Sequence, residues 1–347
     1  MNASLPARAT APALSQRLPG SAEMKTALPV EPALALRINQ HRQAIRAVLH
    51  GDDDRLLVVA GPCSIHDPAA ALEYAQRLAQ LAEAVSDRLL VVMRAYVEKP
   101  RTTVGWKGLL YDPHLDGSHD MATGLHTARA LMRDIARLGL PLATEILHPM
   151  AAGYLDDLLS WAAIGARTTE SQIHRELVSG LGLPAGFKNG TDGGVSVAVD
   201  AIRSAAAPHQ HFGIDSLGHP AIIRSTGNPD THLVLRGGRH GPNYAAEHVR
   251  AAREALTQAG VTPRIMVDCS HANSSKDHRR QALVLQDVIA QRRAGDTSLM
   301  GVMLESHLAE GNQPLCEPLR YGVSITDACI GWDDTAQLLH DAAEALR

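Results

Sequence analysis

Side chains that can bind a metal ion or an anion stand at the ends of eight short apolar segments of this sequence. In chain order these are Cys63, Arg94, Glu145, Arg167, Lys188, Arg236, His271 and Glu305. One such residue alone is usually structural, for example a solvated arginine or a buried thiol. Eight in succession indicate a shared site if the segments are parallel strands, because their carboxyl ends then meet on one face.

Positive charge is concentrated at these segment ends and in the loops that follow them. The six cations are Arg94, Lys99, Arg101, Arg167, Lys188 and Arg236. Cations crowd together at low cost only when anions normally lie between them, and the guanidinium fork matches phosphate and carboxylate oxygens. We therefore predict ligands that carry more than one phosphate or carboxylate group between them.

A second group of side chains has the composition of a metal site. Cys63, His271 and Glu305 follow the first, seventh and eighth segments, and a further acid after the eighth could complete the set. Sulfur, nitrogen and oxygen together suit a borderline divalent transition ion, whereas Mg²⁺ prefers oxygen alone. The sequence leaves Mn²⁺, Fe²⁺, Co²⁺ and Zn²⁺ open.

The pattern of apolar residues predicts the elements that position these groups. The eight predicted strands are residues 56–60, 89–93, 140–146, 161–166, 184–187, 232–235, 264–267 and 299–304. Stretches with helical spacing separate them, including one predicted over residues 154–160. Continuous apolar strands that alternate with helices indicate a buried parallel sheet. We expect an α/β fold, a (β/α)8 TIM barrel, with an open doubly wound sheet as the alternative.

Three segments fall outside the strand and helix alternation. Residues 1–50 are predicted to form a flexible arm, over residues 1–32, and a helical extension before the barrel at residues 51–347. The long loop over residues 95–120 has the length of a functional loop. A β-hairpin insertion around residues 208–230, with strands at 211–215 and 221–225, would serve regulation or assembly.

Composition excludes several classes of protein. The 347 residues include 33 Lys and Arg against 37 Asp and Glu, a net charge of −4, and only 3% are aromatic. A nucleic-acid-binding protein would usually be basic, so no nucleic-acid partner is expected. No apolar run is long enough to span a membrane. The four scattered cysteines fit a reducing, cytoplasmic location.

Seven motifs resemble the type I 3-deoxy-D-arabino-heptulosonate 7-phosphate (DAHP) synthase family. They are GPCSIHDP at 61–68, KPRTTVGWKG at 99–108, GARTTES at 165–171, GFKNGTDG at 186–193, LRGG at 235–238, SHANS at 270–274 and SITDACIGW at 324–332. They occur in order from about residue 35 to the end. The resemblance implies condensation of phosphoenolpyruvate with erythrose 4-phosphate and water, the entry to the shikimate pathway and aromatic amino-acid biosynthesis.

The resemblance also assigns residues. It implies one divalent metal ion held by Cys63, His271, Glu305 and Asp327, which supplies the missing fourth ligand. Phosphoenolpyruvate would contact Arg94, Lys99, Arg167, Lys188 and Arg236, and the sugar phosphate would contact Arg101 and Thr102. Lys99 would protonate the aldehyde oxygen, and Glu145 would orient the water. His271 could instead act as a general base near Asp268, although the resemblance favours a metal ligand.

Regulation and assembly are less defined by the sequence. Family members are commonly inhibited by Phe, Tyr or Trp. His148 stands where an Asp associated with effector sensing is usual. Gly182 stands where Phe-sensitive relatives tend to carry Ser, and this difference favours Tyr as the inhibitor. A homodimer or homotetramer is expected. Two alternatives remain: a catalytically inactive barrel that serves as a regulatory subunit, and a related synthase for a different aldose phosphate.

Overall fold

Eight parallel strands close into a barrel in the computed structural model, which describes residues 16–316 and 318–347. The ten strands of the described chain are β1 (Leu56–Gly61), β2 (Leu89–Arg94), β3 (Leu142–Glu145), β4 (Trp161–Ile164), β5 (Ala185–Lys188), β6 (Gln210–Ile214), β7 (Pro220–Arg224), β8 (Thr231–Leu235), β9 (Ile265–Asp268) and β10 (Leu299–Glu305). The ring runs β1-β10-β9-β8-β5-β4-β3-β2, so the first and last strands pair. The predicted (β/α)8 TIM barrel is confirmed, and the open sheet is wrong.

Helices surround the barrel. They are α1 (Ser21–Ala27), α2 (Pro32–His50), α3 (Pro68–Ala84), α4 (Met121–Arg137), α5 (Pro149–Leu155), α6 (Gln172–Ser179), α7 (Ser196–Ala206), α8 (Ala246–Gln258), α9 (Gln281–Arg293) and α10 (Trp332–Ala345). Helix α3 shows why they begin where they do: Pro68 occupies its first position, and the Asp67 carboxylate accepts from the backbone N–H of Ala69 at 2.9 Å. Both features favour a helix start.

One predicted helix is misplaced. The sequence predicts a helix over residues 154–160, whereas α5 spans Pro149–Leu155. The His148 side chain accepts from the backbone N–H of Met150 at 3.2 Å, and Pro149 follows as the first helical residue. This capping starts the helix earlier than its apolar residues suggest. The chain then turns into β4, and Leu158 and Leu159 of this turn are buried in the core.

Helix α2 closes the amino-terminal end of the barrel. Its buried residues Ile45, Val48 and Leu49 pack with the side chains of the barrel interior, among them Leu57 and Trp161. Each fully buried side chain of this size stabilises the fold by roughly 1.5–3 kcal/mol. The helical extension is therefore part of the barrel core and covers the amino-terminal end of the barrel.

The amino-terminal arm is only partly described. We expected a flexible arm over residues 1–32; residues 1–15 lie outside the described part of the chain. Helix α1 follows at Ser21, and Met24 and Leu28 are buried against the core. The Tyr154 hydroxyl donates to the carbonyl of Pro19 at 2.6 Å, which fixes this segment beside α5.

Strands β6 and β7 form an antiparallel hairpin outside the barrel, between α7 and β8. The strands begin one residue earlier than predicted. Phe212 pairs with Ile222, and both are exposed, 96% and 65% respectively. One face of the hairpin is thus apolar and open to solvent. Within the described residues, we find no helix with the length and apolar character needed to cross a membrane.

Candidate active site

The interior of the barrel ends in a charged layer. Strand residues alternate between two faces, and the buried apolar interior includes Val92, Ala143, Val234, Met266 and Met303. Two positions further along the chain stand Arg94, Glu145, Asp268 and Glu305, each the last residue of its strand, and Arg236, which directly follows β8. Lys188 follows Gly186 in the same way. The alternation that buries apolar side chains inside the barrel therefore delivers charged ones at its carboxyl end.

Three potential metal ligands converge beside this layer. The Sγ of Cys63 and carboxylate oxygens of Glu305 and Asp327 all lie within 4.8 Å of one another. Cys63 and Glu305 are buried, whereas the Asp327 side chain is 64% exposed. The Cys63 thiol donates to Oδ2 of Asp327 at 3.6 Å. One sulfur and two carboxylates therefore face a common point.

The ammonium group of Lys99 lies against the same three side chains. Its Nζ donates to Sγ of Cys63 at 2.7 Å and lies 3.5 Å from Oδ2 of Asp327. Burial opposes the charge of Lys99, but Cys63 and Glu305 outweigh burial and raise its pKa. Burial and the nearby Glu305 raise the pKa of the Cys63 thiol to about 11.

His271 lies between two carboxylates, next to the three converging ligands. Its Nε2 is 3.9 Å from Oε1 of Glu305, and its Nδ1 is 2.9 Å from Oδ2 of Asp268, although not aligned as a hydrogen bond. Burial opposes the charge of Asp268, but His271 and Lys188 together hold the pKa of its carboxyl well below the usual range. Both nitrogens of the imidazole thus face acidic side chains.

The six predicted cations line one cavity of about 710 Å³ at the carboxyl end of the barrel. Thr102, Glu145, His271 and Asp327 line it as well. Arg94, Lys99 and Lys188 are buried at its base, whereas Arg101 and Arg167 are exposed at its rim. The cavity therefore offers positive charge at two depths, which suits two anionic groups better than one.

Arg94 ties three parts of the site together. Its Nη2 lies 2.9 Å from Oε1 of Glu305 and donates to the carbonyl of Cys63 at 3.0 Å, and its Nε donates to the carbonyl of Pro62 at 3.1 Å. The guanidinium also stacks on the Tyr96 ring at 3.6 Å. Burial opposes its charge, but the Tyr96 and Glu305 side chains raise its pKa overall. Planar stacking and forked donation of this kind require arginine rather than lysine.

The loop after β2 carries Arg101 and Thr102 at the cavity rim. Residues 95–120 contain no helix or strand. Gly108 has φ +115°, and a Cβ there would lie 2.3 Å from the carbonyl of Val97, so glycine is needed where the loop returns to its own start. The Arg167 guanidinium donates to the Thr102 hydroxyl at 2.9 Å, which connects this loop to the one after β4.

Glu145 presents a buried carboxylate to the cavity. Space for it exists because residue 165 is glycine: a Cβ at Gly165 would lie 2.3 Å from its Oε1. Glu98, directly before Lys99, is buried nearby, and its Oε2 accepts from the backbone N–H of His148 at 3.4 Å. Burial raises the pKa of Glu98 to about 7.

The chemistry of the donor set fits a divalent transition ion. A buried thiol, two carboxylates and an adjacent imidazole provide the soft and hard ligands that such ions bind. The thiol becomes a better ligand as a metal displaces its proton. The carboxylates supply the negative charge that a cation needs in this buried place.

The chain matches the family described as the DAHP synthetase I family over residues 33–340. That match covers most of the chain and all of the cavity just described. The protein belongs to the DAHP synthetase I family.

Individual relatives agree. The chain is 52% identical over 327 residues to the Tyr-sensitive phospho-2-dehydro-3-deoxyheptonate aldolase of Escherichia coli K12, covering 93% of this chain and 92% of that protein. It is 57% identical over 308 residues to the Phe-sensitive enzyme of the same organism, with 88% of each covered. The phospho-2-dehydro-3-deoxyheptonate aldolase structure from Francisella tularensis SCHU S4 superposes with TM-score 0.94 at 44% identity, covering 96% and 98%.

Sequence reasoning missed three features of this DAHP synthetase I family member. Arg239 and Lys276 also line the cavity, which adds positive charge at its mouth. Both lie in loops after strands, a few residues beyond Arg236 and His271, so a search of whole loops would have found them. Glu98 was missed as well, because nothing in the sequence marks its contact with the segment before α5.

The two positions that we expected from the resemblance to affect regulation lie at helix ends. His148 is exposed and caps α5. Gly182 follows α6 with φ +68°, a conformation that favours glycine, and its carbonyl accepts from Nη2 of Arg46 at 2.8 Å. The Ser179 and Ser225 hydroxyls, 2.5 Å apart, link the end of α6 to the hairpin. His148 thus lies at the start of α5, whereas Gly182 lies just beyond the end of α6, which the Ser179–Ser225 contact joins to the hairpin.

Proposed function

We propose that the protein condenses phosphoenolpyruvate with D-erythrose 4-phosphate and water to give DAHP and phosphate. This is the first step of the shikimate pathway, which leads to chorismate and the aromatic amino acids. The single observation that carries the proposal is the charged cavity itself, with cations at two depths and the Cys63, Glu305 and Asp327 group beside them, in a member of the DAHP synthetase I family. The protein is a transferase of the aldol-condensation type.

Phosphoenolpyruvate binds the deeper cations in this proposal. Arg94, Lys99 and Lys188 are buried, and Arg236 and Arg167 continue the positive surface towards the rim. Buried cations attract a phosphate and a carboxylate strongly, because water screens them little. A compact dianion or trianion would relieve the repulsion among them.

Erythrose 4-phosphate binds nearer the rim, with its phosphate on Arg101 and Thr102. These residues are exposed on the loop after β2, and Arg167 holds Thr102 through a hydrogen bond. The aldehyde end then points inward, towards Lys99 and Asp327. Holding two mutually repelling anions in attack geometry supplies several kcal/mol of catalysis.

One divalent ion, Mn²⁺, Fe²⁺, Co²⁺ or Zn²⁺, is held by Cys63, His271, Glu305 and Asp327 in this proposal. When bound, such an ion supplies Lewis acidity towards an aldehyde oxygen. The donor set supports a transition ion without choosing among the four. His271 serves as a ligand through Nε2, the nitrogen that faces Glu305.

The protein's own groups move the protons. C3 of phosphoenolpyruvate forms a bond to the aldehyde carbon, and the charged Lys99 ammonium gives a proton to the aldehyde oxygen. Water adds to C2, oriented by the Glu145 carboxylate that faces the cavity, and the proton that the water gives up restores the Lys99 ammonium. The C2–O bond to phosphate then breaks as the C2 hydroxyl becomes the ketone, and the hydroxyl proton leaves with the phosphate.

An aromatic amino acid inhibits the enzyme in this proposal, through the region of His148 and Gly182. Relatives described as Tyr-sensitive, Phe-sensitive and Trp-sensitive are 52%, 57% and 53% identical to the chain, so similarity does not choose the effector. Assembly into a homodimer or homotetramer would cover the exposed apolar face of the hairpin. The expected cytoplasmic location stays a prediction.

Phosphate release with both substrates and Mn²⁺ tests the proposal. We expect release that stops with EDTA, returns with added metal, and falls with one of Phe, Tyr or Trp. Absence of release with every metal would instead favour an inactive regulatory barrel. Release with a five-carbon aldose phosphate but not with erythrose 4-phosphate would favour the related synthase.

A further inference from the structure

The carboxylate of Asp268 contacts two residues with different proposed tasks. It is fully buried at the end of β9, and its Oδ2 lies 2.8 Å from Nζ of Lys188 and 2.9 Å from Nδ1 of His271. Lys188 belongs to the proposed phosphoenolpyruvate site, and His271 to the proposed metal site. One oxygen atom therefore touches both sites.

The surroundings hold this carboxylate in place. Its Oδ1 accepts from the backbone N–H of Ser270 at 3.0 Å, and the Asp268 carbonyl accepts from the Asn273 amide at 2.8 Å. The Ser270 hydroxyl in turn donates to Oε2 of Glu305 at 2.8 Å. Asp268 is therefore built into the same network as the proposed ligand Glu305, with little freedom to move.

His271 is held in an uncommon backbone conformation. Its φ is +57°, a left-handed value that residues with a Cβ rarely adopt. Such conformations persist where surrounding contacts impose them, and they cluster at functional sites. Here the conformation sets the imidazole between Asp268 and Glu305. Nδ1 is buried without a hydrogen bond among the described residues, and Asp268 is the acceptor beside it.

We propose that Asp268 is a positioning residue that serves the metal site and the phosphoenolpyruvate site together. Its negative charge, 2.9 Å from Nδ1 of His271, favours the ring proton on that nitrogen, which leaves the Nε2 lone pair for the metal, and it fixes the Lys188 ammonium beneath the donor substrate. A carboxylate behind a ligating histidine typically contributes 10–100-fold to metal affinity or activity. This inference rests on the proposed function, because it adopts the roles of Lys188 and His271.

The decisive variant is Asp268→Asn, which keeps the size of the side chain and removes its charge. We expect the dissociation constant for Co²⁺, followed by its thiolate absorption band, to rise about 10–100-fold. We also expect phosphoenolpyruvate to bind at least several-fold more weakly in calorimetry without metal. A folded Asp268→Asn protein with both affinities within about threefold of the wild type overturns the proposal.

Asp230→Asn is the matched control. Asp230 is also a buried carboxylate in two ion pairs, 2.5 Å from Nε of Arg46 and 2.9 Å from Nε2 of His50. It precedes β8 at the opposite end of the barrel. We expect both affinities to be unchanged in this variant, even if its thermal unfolding temperature falls as far as that of Asp268→Asn. Equal losses of affinity would assign the effect to stability and overturn the proposal.

Lys188→Met keeps the test decisive if Asp268→Asn fails to fold. It removes one of the two contacts and leaves Asp268 beside His271. We expect weak phosphoenolpyruvate binding with Co²⁺ affinity retained, and loss of Co²⁺ affinity in this folded variant would contradict the proposal. All these titrations omit erythrose 4-phosphate, so they do not depend on turnover. A wild-type protein that binds Co²⁺ but releases no phosphate would refute the proposed function. The Co²⁺ titration of Asp268→Asn would still test whether Asp268 supports metal binding.

Discussion

Arg94 and Glu305 form an ion pair at the base of the cavity, with Nη2 and Oε1 2.9 Å apart and the two side chains only 2% and 1% exposed. Arg94 is the last residue of β2, and Glu305 is the last residue of β10. Since both strands flank β1, the pair spans the loop that carries Cys63. Burial opposes the charge of Glu305, but Arg94, together with His271 and Lys99, holds the pKa of its carboxyl below the usual range.

Removing the Glu305 charge should destabilise the whole protein. Glu305→Gln leaves Arg94 buried without a matching anion, and breaking a buried pair in this way typically costs about 3–5 kcal/mol. Urea unfolding with EDTA throughout measures this loss without any contribution from bound metal. Glu310→Gln is the control, because its pair with Arg279 is exposed and should contribute far less. Similar losses in the two variants would show that the Arg94 pair does not support the fold.

Lys99 should be needed for the chemical step. Lys99→Met removes the ammonium that contacts Cys63, and loss of a positioned proton donor typically lowers kcat by about 10²–10⁴-fold. The measurement is phosphate release at saturating substrates and metal. Lys107→Met is the control on the same loop: Lys107 is exposed, and its backbone carbonyl bond to Lys99 survives the change. A Lys99→Met enzyme within threefold of the wild-type kcat would rule out this role.

Glu98 should make the stability of the protein fall as pH rises. Burial raises its pKa from 4.5 to about 7, so the folded state binds the proton more tightly than the unfolded state does. Stability from this group is full below the unfolded value and is lost as pH rises to about 7, on the order of 3 kcal/mol in total. Glu98→Gln removes the titration. We expect the unfolding free energy of the variant minus that of the wild type, measured with urea, to be more positive at pH 8 than at pH 5. The same difference at both pH values would contradict the raised pKa of Glu98.

The exposed face of the hairpin should mediate self-association. Phe212 and Ile222 are paired and exposed, and apolar faces of this kind mark interaction sites. Phe212→Ser with Ile222→Ser should lower the mass measured by light scattering or sedimentation. Leu283→Ser on α9 is the control, since Leu283 is 57% exposed but lies on a different element. An unchanged mass in the double variant would place the interface elsewhere.

Gly182 should resist replacement for backbone reasons. At φ +68° a residue with a Cβ is strained, although nothing lies within 4 Å of where that Cβ would be. Gly182→Ser should therefore destabilise the protein by about 1–2 kcal/mol. Gly182→Asn should cost less, because asparagine tolerates this conformation better. Equal unfolding free energies for all three proteins would contradict this explanation, and serine would then remain compatible with the site.

The sequence predicted the barrel because its signals are local. Apolar strands and helical spacing can be recognised from a few consecutive residues. The ends of the predicted strands then identify Arg94, Lys188 and Glu305 without any three-dimensional information. Contacts between distant segments could not be predicted from the sequence pattern. Examples are helix α2 against the amino-terminal end of the barrel, Glu98 against the backbone before α5, and Asp268 against Lys188 and His271. Each of these contacts depends on how remote parts of the chain pack. The misplaced helix over residues 154–160 has a related cause, since capping at His148 outweighed the apolar pattern.

Successive side chains of a barrel strand point alternately into the barrel and out towards the helices. The chemistry of the cavity therefore depends on which of these two faces a residue occupies. In β5, Lys188 faces inward, whereas Phe187 packs outward with the helices. A single-residue deletion inside this strand would exchange the two faces. It would place a phenyl ring among the cations and an ammonium in the apolar layer. Insertions and deletions within the barrel strands are therefore active-site changes, just as those in the loops that carry Lys99, His271 and Asp327 are.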